Sequence, residues 1–402
     1  RGLWRFCIAY GVNRTFRDMK DAMKDPSKLA KLEPHKLAQT FEQRWVRIED
    51  VEYDVTNFKH PGGSVIFYML SNTGADATEA FKEFHMRSPK AWKMLKALPQ
   101  RPAETPRSAD PDAPMLQDFA RWRAELEREG FFEPSRLHLA YRCLELCATF
   151  ALGTFLMYIG RPLLASVVYG AFFGARCGWV QHEGGHNSLT GSIWWDKRIQ
   201  AATCGFGLST SGDMWNQMHN KHHATPQKVR HDMDLDTTPA VAFFDTAVED
   251  NRPRGFSKTW ARLQAWTFVP VTSGVLVQMF WIYVLHPRQV LRKKNYEEAS
   301  WMFLSHVVRT AVIKLALECG WAEAYGWFWV GNWIAYMYLF AHFSTSHTHL
   351  DVTKPEEIKP LVDANTKCIY VETISNPSYN IPDFDEISKI AKELKLPLVV
   401  DN

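Results

Sequence analysis

The chain has 402 residues and a formal net charge of +3, from 47 Lys and Arg set against 44 Asp and Glu. That length suggests two or three domains, and so small a charge argues against a nucleic-acid-binding protein. Composition is 46% hydrophobic and 13% aromatic with 16 Trp, and the apolar residues are unevenly placed. The seven cysteines are scattered with no C-x-x-C, four of them in or beside apolar segments, which fits reducing surroundings and argues against a disulfide framework or a zinc knuckle.

Residues 1–32 read as a basic, weakly patterned lead-in, and no signal peptide is evident. The opening Arg reads as a processed or partial sequence. Residues 33–101 read as a small soluble domain: "RWVRIEDVEYDVTNF" predicts two short strands around a turn, and "ATEAFKEFH" predicts a helix. Residues 102–138 are expected to be a linker and an amphipathic helix, because "LPQRPAETPRSADPDAP" (98–114) carries five prolines and mixed charges.

From residue 139 the character changes. The segments 139–160 and 162–180 are each about long enough to cross a bilayer, interrupted only by Arg142, Glu145 and Arg176. Further apolar segments cover 264–285, 301–318 and 325–345, with Trp and Tyr at their ends. Buried helices of a large soluble core are the alternative to membrane spans. The first two spans form a hairpin, which puts the soluble domain and the histidines from 182 to 231 on one membrane face. The segment 301–318 is the least apolar, with His306, Arg309 and Lys314. It is expected to lie in the interface, leaving about four spans and returning His347 and His349 to the same face.

Two groups of histidines carry the chemistry. His60 precedes the turn Pro61-Gly62-Gly63, and His85 follows 25 residues later at the end of a predicted helix. Two neutral imidazoles facing each other across a pocket suit a six-coordinate haem iron that passes single electrons. The stretch "YDVTNFKHPGG…GADATEAFKEFH" resembles cytochrome b5, which implies His60 and His85 as axial ligands of haem b. The second group is "QHEGGHNS", with His182 and His186 at i and i+4, followed by "HNKHH", with His219, His222 and His223. Residues so spaced share a helix face, and five imidazoles exceed the three protein ligands of a catalytic zinc site. Two irons would use them, although imidazole suits both metals. "HEGGH" also matches the H-E-x-x-H zinc protease signature, with Glu183 as the base. That motif wants a continuous helix, in which Gly184 and Gly185 each cost about 1 kcal/mol, and it leaves the remaining histidines without a role.

Together, over residues 33–352, these features resemble the front-end fatty acid desaturases with an amino-terminal cytochrome b5 domain, and the delta-6 type of algal acyl-CoA enzymes in particular. The resemblance implies a multi-domain fold: a small α+β haem domain, an all-α polytopic membrane desaturase bundle over 139–352, and a different carboxyl-terminal piece. It implies a multi-pass enzyme of the endoplasmic reticulum with its active site facing the cytosol. Its cofactors would be haem b and two non-haem irons with O2 as co-substrate, and its partners a fatty acyl substrate (acyl-CoA or phospholipid), cytochrome b5 reductase and membrane lipid. His182, His186, His219, His222, His223 and His347 become the implied iron ligands. A haem electron-transfer protein with a degenerate iron site and a fatty acyl hydroxylase are the competing functions.

After residue 352 the resemblance ends. Family members carry a third histidine box there, whereas no histidine follows His349 in this chain, so residues 1–402 are expected to desaturate weakly or not at all. Residues 353–402 instead alternate strand and helix as a truncated βαβ piece. They resemble a fragment of pyridoxal-phosphate enzymes of cysteine and methionine metabolism, such as O-acetylhomoserine sulfhydrylase, where Asp401 would pair with the pyridine nitrogen. The Schiff-base lysine of that family is absent from this chain, so the piece is expected to be non-functional, a mis-joined chain or a fusion.

Overall fold

The computed structural model describes residues 40–110, 113–224, 258–343, 355–372 and 382–401. The chain divides into two compact units, one of residues 1–220 and 278–335, the other of residues 221–277 and 336–402. The expected lead-in at 1–32 and the candidate ligand His347 lie outside the described residues.

The first unit opens with strands β1 (Trp45–Ile48) and β2 (Val51–Asp54), paired antiparallel. Period-two alternation buries Val46 and Ile48 on one face. Helices α1 (Thr78–Phe84) and α2 (Pro89–Lys96) follow. Val46, Ile48, Val55, Leu70, Ala77 and Leu95 form the core, with Phe58 and Phe81 packed against it.

The predicted linker is more ordered than its prolines imply. Gln100–Pro102 forms a third strand, β3, paired antiparallel with β2. Arg107 then binds back to the domain, reaching Glu49 and Glu79 at 3.0 Å each and Asp76 at 3.2 Å. These contacts hold the start of the linker against the domain, and they join residues 28 to 58 positions apart, leaving no local pattern. The amphipathic helix α3 (Ala113–Arg128) comes next.

The helical body begins with α4 (Arg136–Tyr158) and α5 (Pro162–Gly185), the latter containing a π-helical stretch, Val168–Gly174. The charges that interrupt these helices meet one another: Arg142 and Arg176 each lie 3.0 Å from Glu145. Helix α6 (Ile193–Ala202) runs into a π turn, Thr203–Gly207, and α7 (Gly212–Ala224) carries the second histidine group. After α8 (Lys258–Val271), a π-helical run (Thr272–Leu285) and α9 (His286–Lys293) lead to α10 (Tyr296–Leu317) and α11 (Trp321–Phe343).

Among the described residues, three helices are long and apolar enough to cross a membrane: Arg136–Tyr158, Pro162–Gly185 and Tyr296–Leu317. The last contains the segment 301–318, expected to lie in the interface, and by length and composition it is also long enough to span. One of its charged residues is absorbed inside the bundle. Arg309 is 3% exposed and donates to the carbonyl of Gly207 at 3.0 Å and to Asn332 Oδ1 at 2.9 Å. The guanidinium thus meets the end of the π turn Thr203–Gly207, at the carbonyls of Gly207 (3.0 Å) and Phe206 (3.4 Å).

In the second unit, β4 (Ile369–Glu372) pairs parallel with β5 (Leu398–Asp401), and α13 (Phe384–Leu394) packs Ile387, Ile390 and Ala391 against Ile369. Helix α12 (Pro355–Leu361) precedes β4. Asp401 pairs in register with Glu372.

Candidate functional site

The structure brings His60 and His85 together, with ring centroids 6.1 Å apart and planes nearly perpendicular at 87°. Two imidazoles bonded to one ion at about 2 Å each place their ring centres about 6 Å apart. His85 ends α1, and its Nδ1 lies 2.9 Å from the Phe81 carbonyl, a contact that puts the proton on Nδ1 and leaves Nε2 free for a metal. Burial, with His85 nearby, pushes His60 down to about 4, and burial also lowers His85. Both rings are therefore neutral at physiological pH, the state in which imidazole binds iron. The pair fits a bis-imidazole haem.

The second centre is built by α5 and α7. His182 and His186 lie on the last turn of α5, and His219 approaches from α7, so that one nitrogen of each falls within 4.8 Å of the others. His186 Nε2 and His219 Nε2 are 3.1 Å apart. Two nitrogens held about 2.1 Å from one ion lie about 3.0–3.4 Å apart, so this spacing suits a shared metal. Trp215, one turn before His219, stacks on its ring at 4.1 Å and fixes its orientation. His222 and His223 belong to the second unit, where their rings lie 5.6 Å apart and His222 is 1% exposed.

The two glycines of "HEGGH" are explained by packing. A Cβ on Gly184 would stand 2.9 Å from the Asp196 carbonyl oxygen, and one on Gly185 would stand 2.6 Å from Trp215. Their absence lets α6 and α7 close on α5, which brings His219 to the first pair. Glu183 points elsewhere: it meets His138 Nε2 at 2.8 Å and Arg142 at 3.8 Å. A protease base would have to face the metal beside its own histidines, so these contacts count against the zinc protease reading.

Sequence reasoning missed the groups that hold α7. Glu298 accepts from the Asp213 N–H at 2.9 Å and from the Ser211 hydroxyl. The Ser211 N–H donates to His286 Nδ1 at 2.9 Å, and burial pushes His286 down to about 3, keeping it a neutral acceptor. An acidic residue heading an apolar segment gives no sign of the helix it caps. Burial also lowers Lys197, with Asp213 opposing.

Comparison with known proteins finds two domains in the chain. A cytochrome b5-like haem/steroid binding domain model matches residues 28–100, and a fatty acid desaturase model matches residues 159–372. The chain belongs to the fatty acid desaturase family. It is an oxidoreductase of the desaturase class with apolar helices that suggest membrane association, and haem, non-haem iron and O2 are the cofactors that its two domains indicate. The desaturase match runs 20 residues past 352, where the motif resemblance ends, and takes in β4. The chain is 43% identical to the acyl-lipid (8-3)-desaturase of Rebecca salina over 79% of its own length and 73% of that relative. It is 42% identical to the acyl-lipid (8-3)-desaturase of Thraustochytrium sp. over 78% of its length and 73% of that relative. With the delta(8)-fatty-acid desaturase of Euglena gracilis it shares 27% identity over 68% and 62% of the two chains. No solved structure matches.

Proposed function

We propose that this chain is a front-end acyl-lipid desaturase fed with electrons by its own haem domain. The observation that carries the reading is the coexistence of two imidazole sets in one chain: a close pair, His60 and His85, and a convergent trio, His182, His186 and His219. His60 and His85 hold haem b. The trio, with His222, His223 and His347, holds two non-haem irons. Removing hydrogen from an unactivated methylene needs an oxidant that side chains do not supply, and that is the chemistry iron and O2 bring. The protein's own part is to keep the imidazoles neutral, to fix their aim through Trp215 and the glycine contacts, and to shield the acyl chain among apolar helices.

The names of the two relatives above 40% identity favour the (8-3) regiochemistry over the delta-6 type. Cytochrome b5 reductase is the proposed electron donor, and the cytosolic face of the endoplasmic reticulum the proposed location. Residues 353–402 read as a pyridoxal-enzyme-like piece that completes no site of its own. Expression in a host lacking polyunsaturated lipids, with acids whose first double bond lies at the eighth or the ninth carbon, tests the regiochemistry. A new bond at the fifth carbon supports the (8-3) type, and one at the sixth supports delta-6. A product that gains oxygen supports the hydroxylase instead.

A further inference from the structure

The haem domain and the first histidine group are joined by one side chain that neither motif contains. Arg87, two residues past the haem ligand His85, donates from Nη1 to the carbonyl of Asn187 at 2.6 Å and from Nη2 to the carbonyl of Phe132. Asn187 follows His186 directly. The first contact thus spans 100 residues and lands beside a candidate iron ligand.

The local folding on both sides serves this contact. Helix α5 ends with Asn187 in the left-handed conformation, φ 57°. The Asn187 N–H returns to the Gly184 carbonyl and the Ser188 N–H to the Glu183 carbonyl, both at 3.1 Å. This pattern closes the helix and leaves the Asn187 carbonyl available to Arg87. On the other side, Arg123 of α3 holds the same stretch of the haem domain, donating to Glu83 at 2.7 Å and to Met86 Sδ at 3.0 Å. A fork of guanidinium N–H groups suits two diverging carbonyls, which one ammonium group meets less well.

We propose that Arg87 is a positioning residue that latches the haem domain onto the end of the first histidine group and thereby sets the rate at which electrons pass between the two metal centres. The inference rests on the proposed function above. In each transfer the reduced haem loses one electron and the non-haem iron site gains one. Two transfers, with two electrons and two protons from the acyl chain and two protons from solvent, reduce O2 to two waters. A flavin reductase using NADH supplies the haem. Because electron transfer falls steeply with distance, holding His85 near His186 matters more than any specific bond between them.

The test uses the full chain in detergent as the holoprotein, comparing wild type with Arg87→Ala and Arg87→Lys. Hydrogen–deuterium exchange is read at residues 82–88 and 186–190, and haem reoxidation is followed after chemical reduction in the presence of acyl substrate. In Arg87→Ala, loss of the two charge-assisted hydrogen bonds should raise exchange in both segments and slow reoxidation by roughly tenfold or more. The haem spectrum and the non-haem iron content should stay unchanged. Arg87→Lys should recover little, because one ammonium meets two diverging carbonyls less well than the guanidinium fork. Unchanged exchange in both segments would overturn the latch. Raised exchange with an unchanged reoxidation rate would overturn its role in electron transfer. Should the wild type not reoxidise, as the weak turnover expected of residues 1–402 allows, the same variants are compared in the protein carrying the Rebecca salina segment after residue 352; failure to reoxidise there sinks the proposed function, while the exchange measurement still decides whether the latch exists.

Discussion

Replacing Glu298 with Ala should loosen the iron site without touching a ligand. Its carboxylate accepts two hydrogen bonds at the start of α7, from the Asp213 N–H and the Ser211 hydroxyl. Glu298 is 6% exposed and Ser211 fully buried, so water does not replace the lost acceptor. Hydrogen bonds to charged groups contribute about 1.5–3 kcal/mol each, and losing both removes roughly 3–6 kcal/mol from the anchoring of the helix that carries His219. His219 then no longer holds its 3.1 Å approach to His186. Loss of such supporting contacts typically lowers metal affinity about 10 to 100-fold. The assay is the ratio of non-haem iron to haem in purified protein after brief exposure to a chelator, since the haem counts intact chains. Glu298→Gln keeps the shape and one acceptor and should fall between. A ratio for Glu298→Ala equal to wild type would refute the claim that this cap positions α7.

Either His60→Ala or His85→Ala should abolish the low-spin haem spectrum, and a low-spin band retained in either would remove that residue as a ligand. Without haem, the haem domain should lose stability on acidification. The folded His60 titrates at about 4 and the unfolded ring near 6.5, so below 6.5 the unfolded chain takes up a proton that the folded one refuses. Stability attributable to His60 should therefore fall between those values by about 3 kcal/mol in all, and a flat denaturation profile over that range would contradict it. Glu183→Gln should leave iron content near wild type, because its partners are His138 and Arg142; loss of the metal would reopen the protease reading.

Much of the haem domain was legible in the sequence because its signals are local. Alternation in "WVRI" marks a strand, and His-Pro-Gly-Gly marks a tight turn beside a ligand. The histidines at i and i+4 were legible for the same reason, and the structure adds His219 to them. What escaped notice depends on partners far along the chain. Arg309 reads as a charge that disqualifies a span until a π turn some hundred residues away offers its carbonyls. Arg107 reads as part of a flexible linker until Glu49, Asp76 and Glu79 are seen around it. Arg87 carries no sequence signal at all, since its two partners are main-chain carbonyls that any residue could present.

The imidazole sets of this family support acyl desaturation when the segment after residue 352 is complete. This capacity is tested most directly by mapping products from two proteins expressed side by side in a host lacking polyunsaturated lipids. One is residues 1–402; the other has the segment after residue 352 replaced by the corresponding segment of the Rebecca salina relative. The second should convert fed polyunsaturated acids to products two mass units lighter, with the new double bond on the carboxyl side of the existing ones. The first, with no histidine after His349, should retain haem and convert little. Products sixteen mass units heavier, or no product from the second protein while it carries haem and iron, would show that these histidines do not support desaturation.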